Sequence, residues 1–498
     1  MTTFIATQYE PVIGLEVHAQ LLTRSKMFCS CRSDYQGAEP NTTVCPVCMA
    51  MPGSLPVINR RAVEYVIMTG LALNCAIAQH TKFDRKNYPY PDLMKGYQIS
   101  QFDQPIAGKG WLAILVDGQE KRAGITRVHL EEDVAKLFHR ADPTGETYSL
   151  LDVNRAGVPL MEIVGEPDLC SPEEARQYLV NLHSIIQYLG VSTGNMDEGS
   201  FRCDANISVR PKGSTTLGTK VEVKNMNSFR SVFRALEFEI ERQERVVREG
   251  GRIVQETRGW VEERGVTVSQ RSKEYAHDYR YFPEPDLPPL AISRQWVSEL
   301  RSRMPELPEA RRNRYIQQYG LPAYDAALLT ASKATADFFE AVAAIKRLEG
   351  EALRQRAKAT ANWMLGEVAR LLNASGVELE KSRLRPEHLS DLLDIVDSGT
   401  LSTTMAKEVW EETFATGKAP GQLVKEKGLT QITDASSIEP AVEEALRANP
   451  AAVADYLNGK ETAMRFLVGQ VMKATRGRAN PALVNQVVKD KLEALKRG

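Results

Sequence analysis

No run of eighteen apolar residues occurs in this 498-residue chain, which argues against a membrane-spanning helix. Nor does it open on a basic start followed by an apolar core, so no secretory signal is read and a cytosolic protein is expected. Charge of one sign is also lacking. Lysine plus arginine is 63 against 64 for aspartate plus glutamate, a net charge of −1, so any site for a polyanion must be a local patch. GxxxxGK followed by Ser or Thr is missing, which excludes a P-loop, and GxGxxG and HExxH are missing too. If this chain handles ATP, it does so through metal and carboxylates on a sheet rather than through a glycine-rich loop.

Cysteine is sparse, at seven residues, and a reducing compartment argues against disulfides. Cys75, Cys170 and Cys203 are scattered and read as small apolar fillers. The other four are grouped. Cys29-Ser-Cys31 and Cys45-Pro-Val-Cys48 form a CxC and CxxC set with thirteen residues between the pairs. Two close pairs of thiolates are the usual way to build a closed tetrahedral zinc site, with reduced, unligated thiols as the alternative. Four thiolates leave no open position, so the zinc would be structural.

Five stretches alternate apolar and polar residues with the period of a strand: Val12–Leu21, Thr126–Glu132, Val158–Val164, Phe201–Arg210 and Thr219–Lys224. In the first, Ile13, Leu15, Val17 and Ala19 oppose Glu16, His18 and Gln20. In the fourth, Cys203, Ala205, Ile207 and Val209 oppose Arg202, Asp204, Asn206 and Ser208, and in the fifth Glu222 and Lys224 alternate with valines. Glu162 sits between Leu160 and Val164, where an unpaired carboxylate would be costly. Gathered on one sheet, these faces suit a hard divalent metal and the phosphates it holds. Taken singly, each could equally be a solvated face.

A helix is read from Pro172 to about Leu189, with Ser171 as N-cap, Glu174 closing a capping box and Gly190 ending it. A second runs from about Ser228 to Glu249 and stops at Gly250-Gly251. Runs of strands with helices between them point to an α+β fold on an antiparallel sheet. We place this domain at 1–290, a helical domain at 291–350 and an all-α domain at 351–498. The proline-rich Tyr281–Leu290 would serve as a linker, except that His277, Asp278, Tyr279 and Arg280 make a dense polar cluster before it. The last forty-nine residues hold nine basic side chains against four acidic ones. Lys473-Ala-Thr-Arg-Gly-Arg478 among them would fit a phosphate backbone.

Together these motifs resemble the B subunit of the tRNA-dependent amidotransferase, GatCAB. The matching stretches include VIGLEVHAQL, SKMFCSC, VCPVCMAMPGSLPVIN, KFDRKNYPYPD, ITRVHLEEDVAK, LDVNRAGVPLMEIVGEPD, DEGSFRCDANISVRP, KVEVKNMNSFRSVFRALEFEIERQ, AHDYRYFPEPDLPPL and FLVGQVMKATRGRANPALVNQ, so the likeness covers nearly the whole chain. It implies a cradle-like catalytic domain, then a helical domain and a tail that holds tRNA. It further implies an amidase-type A subunit that releases ammonia from glutamine, a small C subunit, and mischarged Glu-tRNA(Gln) or Asp-tRNA(Asn) as substrate. ATP would phosphorylate the side-chain carboxylate and ammonia would displace the phosphate. By the same resemblance, Glu16, His18, Glu132 and Glu162 would hold Mg2+, and Glu132, Glu162 and Lys86 would be catalytic. Asp204 and Glu222 would form a second metal position engaging ATP phosphates, with Arg202 and Lys224 on phosphate and Lys86 paired to Glu132. Pro89 and Met94 depart from the family pattern, both in the loop beside Lys86.

Overall fold

The computed structural model describes residues 8–116, 118–272, 278–429, 435–475 and 479–497. The chain falls into two compact units that part between Pro308 and Glu309.

Eight strands build the main sheet of the first unit: β1 (Tyr9–Gln20), β2 (Gly110–Val116), β3 (Gln119–Glu132), β4 (Pro159–Gly165), β5 (Phe201–Pro211), β6 (Val221–Lys224), β7 (Glu256–Val261) and β8 (Val266–Ser272). Their spatial order is β8-β7-β6-β5-β1-β4-β3-β2. Every neighbouring pair is antiparallel except β6 and β7, which run parallel. All five alternating stretches of the sequence are therefore strands of a single sheet, in an α+β fold. Ile13, Leu15, Val17 and Ala19 point to one side and are at most 2% exposed. They join Met161, Ile163, Ala205, Ile207, Val221 and Val223 in one core. Each large side chain so buried contributes about 1.5–3 kcal/mol, which pins the register, because a one-residue slip would turn this face to water.

Three helices, α1 (Arg60–Ala72), α2 (Pro172–Tyr188) and α3 (Phe229–Arg248), supply apolar residues to that core. The α2 N-cap is Ser171, whose hydroxyl accepts from the Glu174 amide at 3.1 Å. Glu174 does not close the expected capping box. Its carboxylate accepts instead from the Cys170 amide (2.7 Å) and from Lys121 (2.7 Å). Cys170 is exposed, contrary to the expectation of a buried filler, whereas Cys75 and Cys203 are buried.

The other sheet face stays open and is flanked by a three-stranded ribbon of Asp84–Asn87, Tyr97–Ser100 and Phe282–Pro283. The proline-rich segment is thus no linker. Phe282 pairs with Arg85, Glu284 accepts two 2.8 Å bonds from the Arg85 guanidinium, and Leu290 pairs with Thr81.

The named elements of the second unit are all helical among the described residues. Its C-terminal portion has a core of its own, with Ile438, Val442, Leu467, Val471, Val484 and Val488 all fully buried. No described helix is long and apolar enough to cross a membrane.

Candidate active site

Antiparallel register decides which side chains meet on the open face. One row crosses four strands as His129, Glu162, His18 and Arg202, each opposite the next. The adjacent row sets Arg127 opposite Val164, Val164 opposite Glu16 and Glu16 opposite Asp204. His18 Nε2 lies 3.3 Å from Glu162 and 3.7 Å from both Glu16 and Glu131. His129 Nε2 is 3.7 Å from Glu162 and 3.9 Å from Glu131. Beside them, Lys224 donates to Asp204 at 2.5 Å and lies 3.3 Å from Glu222. Arg202 donates to Asp133 at 3.2 Å, and Asp133 also accepts from Gln20 at 2.6 Å. These groups line a cleft of about 480 Å3, closed on the ribbon side by Lys86, Tyr88, Tyr279 and Tyr281.

Crowding of like charges shifts the titrations. Burial works against a charged His18, but its hydrogen bond to Glu162 and the charges of Glu162, Glu131 and Glu16 raise it to about 9. His129, buried and beside cations, falls to about 4. Burial and the Glu162 charge lift Glu131 to about 7, and burial and the same charge raise Glu16. Burial opposes ionised Glu162, yet His129, His18 and Lys86 hold it well below the usual carboxylate range. Burial likewise opposes a charged Lys86, which Glu131 chiefly raises. The Lys86 ammonium lies 5.1 Å from the Tyr279 ring and 5.9 Å from that of Tyr88.

Of the residues expected from sequence, Glu16, His18, Glu162, Asp204, Glu222, Arg202, Lys224 and Lys86 all line this cleft. Glu132 does not. Along β3, Glu132 has the parity of the buried Val128 and Leu130, so its side chain leaves through the opposite face. There it accepts from Lys95 and from the Ile99 amide at 3.0 Å. Lys86 accordingly faces Glu131, and the expected Lys86–Glu132 pair is replaced by Lys95–Glu132. Glu131, His129, Asp133, Arg127 and the three tyrosines were not anticipated. Strand parity applied within His-Leu-Glu-Glu-Asp would have found His129 and Glu131. The tyrosines arrive through the ribbon, whose pairing no local pattern announces.

The oxygen-rich set fits a hard cation. Glu16, His18 and Glu162 bring one ligand atom each within 4.8 Å of one another, as do His129, Glu131 and Glu162. Glu131 and Glu162 are almost wholly buried, a costly state for neighbouring carboxylates without a compensating cation.

A second cluster lies at the four grouped cysteines, whose sulfurs also fall within 4.8 Å of one another. Cys48 Sγ is 3.6 Å from Cys29 Sγ and 3.7 Å from Cys45 Sγ. Four thiolates about 2.3 Å from one tetrahedral ion would stand about 3.8 Å apart, so the set fits a metal. Lys26, fully buried, donates to Cys48 at 3.5 Å. The Cys29 hydrogen bond and Lys26 lower the Cys48 thiol to about 4, while burial and Cys45 push Cys31 up to about 11.

Of the basic C-terminal residues, Lys460 pairs with Asp455 (2.9 Å) and Lys491 with Glu443 (2.8 Å). Arg476 and Arg478 lie outside the described residues, as do His277 and the side chain of Arg497.

A sheet whose open face gathers acids, histidines and cations beneath an aromatic wall has the makings of a catalytic domain, and sequence comparison agrees. Residues 11–298 match the GatB/GatE catalytic domain and residues 337–492 match the GatB domain. A Dehalococcoides mccartyi protein, named as the B subunit of aspartyl/glutamyl-tRNA(Asn/Gln) amidotransferase, is 58% identical over 98% of this chain and 99% of its own length. Proteins of the same name from Carboxydothermus hydrogenoformans (56% identical, 98% of this chain, 100% of theirs) and Moorella thermoacetica (57%, 97% and 100%) are similar to the same extent. The chain belongs to the GatB family.

Proposed function

We propose that this chain is the B subunit of a glutamine-hydrolysing aminoacyl-tRNA amidotransferase. It activates the side-chain carboxylate of Glu-tRNA(Gln), Asp-tRNA(Asn) or both with ATP, then amidates it with ammonia from an amidase-type A subunit. A small C subunit completes the complex, and the compartment is the cytoplasm. The carboxylate oxygen forms a bond to the γ-phosphorus as the bond to ADP breaks. Ammonia then adds at the acyl carbon, phosphate leaves, and a proton is shed as Gln-tRNA(Gln) or Asn-tRNA(Asn) forms.

The observation that carries this reading is the ring of Glu16, Glu131 and Glu162 around His18, with Arg202 and Lys224 beside it. Glu16, His18, Glu131 and Glu162 would hold Mg2+, which when bound neutralises charge between two anions and aligns the phosphoryl transfer. Asp204 and Glu222 would offer a second position on the ATP phosphates. Arg202, oriented by Asp133, and Lys224, oriented by Asp204, supply fixed positive charge for the transferring phosphoryl. Lys86 and the tyrosines wall the carboxylate end and exclude water. Zinc on the four cysteines would be structural. The helical region beyond about residue 351 would hold the tRNA.

The test reconstitutes the complex with its A and C partners, mischarged Glu-tRNA(Gln), Mg2+ and γ-labelled ATP. In Glu162→Gln, phosphate release and Gln-tRNA formation should both fall roughly 100- to 1,000-fold, with tRNA affinity kept. Unchanged rates would leave this chain a tRNA-recruiting scaffold with its chemistry elsewhere.

A further inference from the structure

The open face does not end at the charged rows. Beyond Glu16, β1 continues through Gly14 to Val12, opposite Asn206 and Ser208 of β5. These four residues floor a separate slot of about 300 Å3, walled by Pro167 and Leu217 and sharing Glu16 with the acid cluster. From Glu16 to Val12 the trough runs on for about 13 Å, at roughly 3.3 Å per strand residue. Its floor differs in kind from the cluster, being flat, small and uncharged. Gly14 keeps it low, and a Cβ there would rise to 3.5 Å from Pro167. Leu217, 57% exposed, forms an apolar lip. Ser208 is only 4% exposed and Asn206 half-buried, yet among the described residues neither side chain has a hydrogen-bond partner. A buried hydroxyl and an amide left unpaired beside an apolar wall make a site for a ligand that is planar and apolar but carries hydrogen-bonding edges.

We infer that the Gly14–Asn206–Ser208 slot takes the nucleoside end of the triphosphate whose phosphates occupy the adjacent acid-and-cation cluster. The inference rests on the ATP-dependent reading above and extends it from phosphates to base and ribose. The ring stacks over Gly14 between Pro167 and Leu217, and Asn206 and Ser208 meet its polar edge. This chain would thus bind the nucleoside on bare strand, in place of the glycine-rich loop it lacks.

The test uses the reconstituted complex and two probes, a non-hydrolysable ATP analogue and inorganic tripolyphosphate, which engages only the phosphate cluster. Gly14→Val is the informative variant. A β-branched residue suits a strand, and the Cβ contact of 3.5 Å is ordinary, so the sheet survives while the slot fills. Its Kd for the ATP analogue should rise at least tenfold, with tripolyphosphate affinity within twofold of wild type. Ser208→Ala, milder, should raise the analogue Kd several-fold with the same selectivity. Equal weakening of both probes, or none, would overturn the slot while leaving the function intact, because wild type would still bind both. Failure of wild type to bind either probe would overturn the ATP-dependent reading and the slot with it.

Discussion

Glu131 and Glu132 are neighbours in sequence and occupy different worlds in the fold. Charge and motif made both visible in the sequence, but only strand parity separates them, and the partners of each lie dozens of residues away. The contrast predicts that Glu131→Gln lowers phosphate release at least tenfold with the unfolding midpoint kept. Glu132→Gln should instead leave the rate within about threefold and cost about 1–3 kcal/mol of stability, by leaving Lys95 without its charged acceptor. Parallel rate assays and thermal melts distinguish the two. His18 carries a second expectation. Without a divalent ion its raised pKa of about 9 keeps it protonated at neutral pH. That proton stabilises the fold fully below the ordinary value near 6.5, and the benefit fades as pH climbs through 9. A cation ligated by the ring nitrogen must displace the proton, so Mn2+ affinity measured by calorimetry should tighten between pH 6.5 and 8.5. His18→Gln should flatten that dependence, apart from the part owed to Glu131, which titrates near 7.

Strands and helices with strong internal periodicity were legible: β1, β3, β4, β5 and β6, together with α2 and α3, lie where their patterns put them to within a few residues, save that β3 starts seven residues earlier. Segments defined by distant pairing were not. Leu290 finds Thr81 and Phe282 finds Arg85 across some two hundred residues, and nothing in a proline-rich string announces that. The cysteine cluster was legible from spacing alone, and the structure adds what it anchors. Tyr35, in the loop between the two cysteine pairs, reaches Gln20 at 3.3 Å, and Gln20 in turn holds Asp133. Cys45→Ser should therefore release the bound metal, read as the loss of about one zinc per chain by elemental analysis. It should also lower the unfolding midpoint by at least about 5 °C, since 1 kcal/mol moves it about 2–4 °C in a domain of this size.

The molecule divides its charge rather than carrying an excess. With a net charge of −1, attraction for tRNA has to be concentrated locally, and the basic C-terminal stretch sits in a portion of the chain with a core of its own. Deleting the last hundred residues should raise the tRNA Kd at least tenfold and flatten its dependence on salt, because fewer phosphates are neutralised. Mn2+ affinity of the cleft should stay as it was. Filter binding across a salt series, with calorimetry beside it, reads both arms.

The central place of β1 has a consequence for how the protein is made. Tyr9 pairs with Pro211 and His18 with Glu162, so the first strand to leave the ribosome is among the last to find its neighbours. At about 5–20 residues per second, some two hundred residues of synthesis separate Tyr9 from its partner by roughly 10–40 s. For that interval Ile13, Leu15 and Val17 are apolar surface with both strand edges unpaired, a template for aggregation. The sheet closes from its middle only when its C-terminal half exists, which makes the first unit a slow, all-at-once folder whose yield in the cell rests on protection during translation.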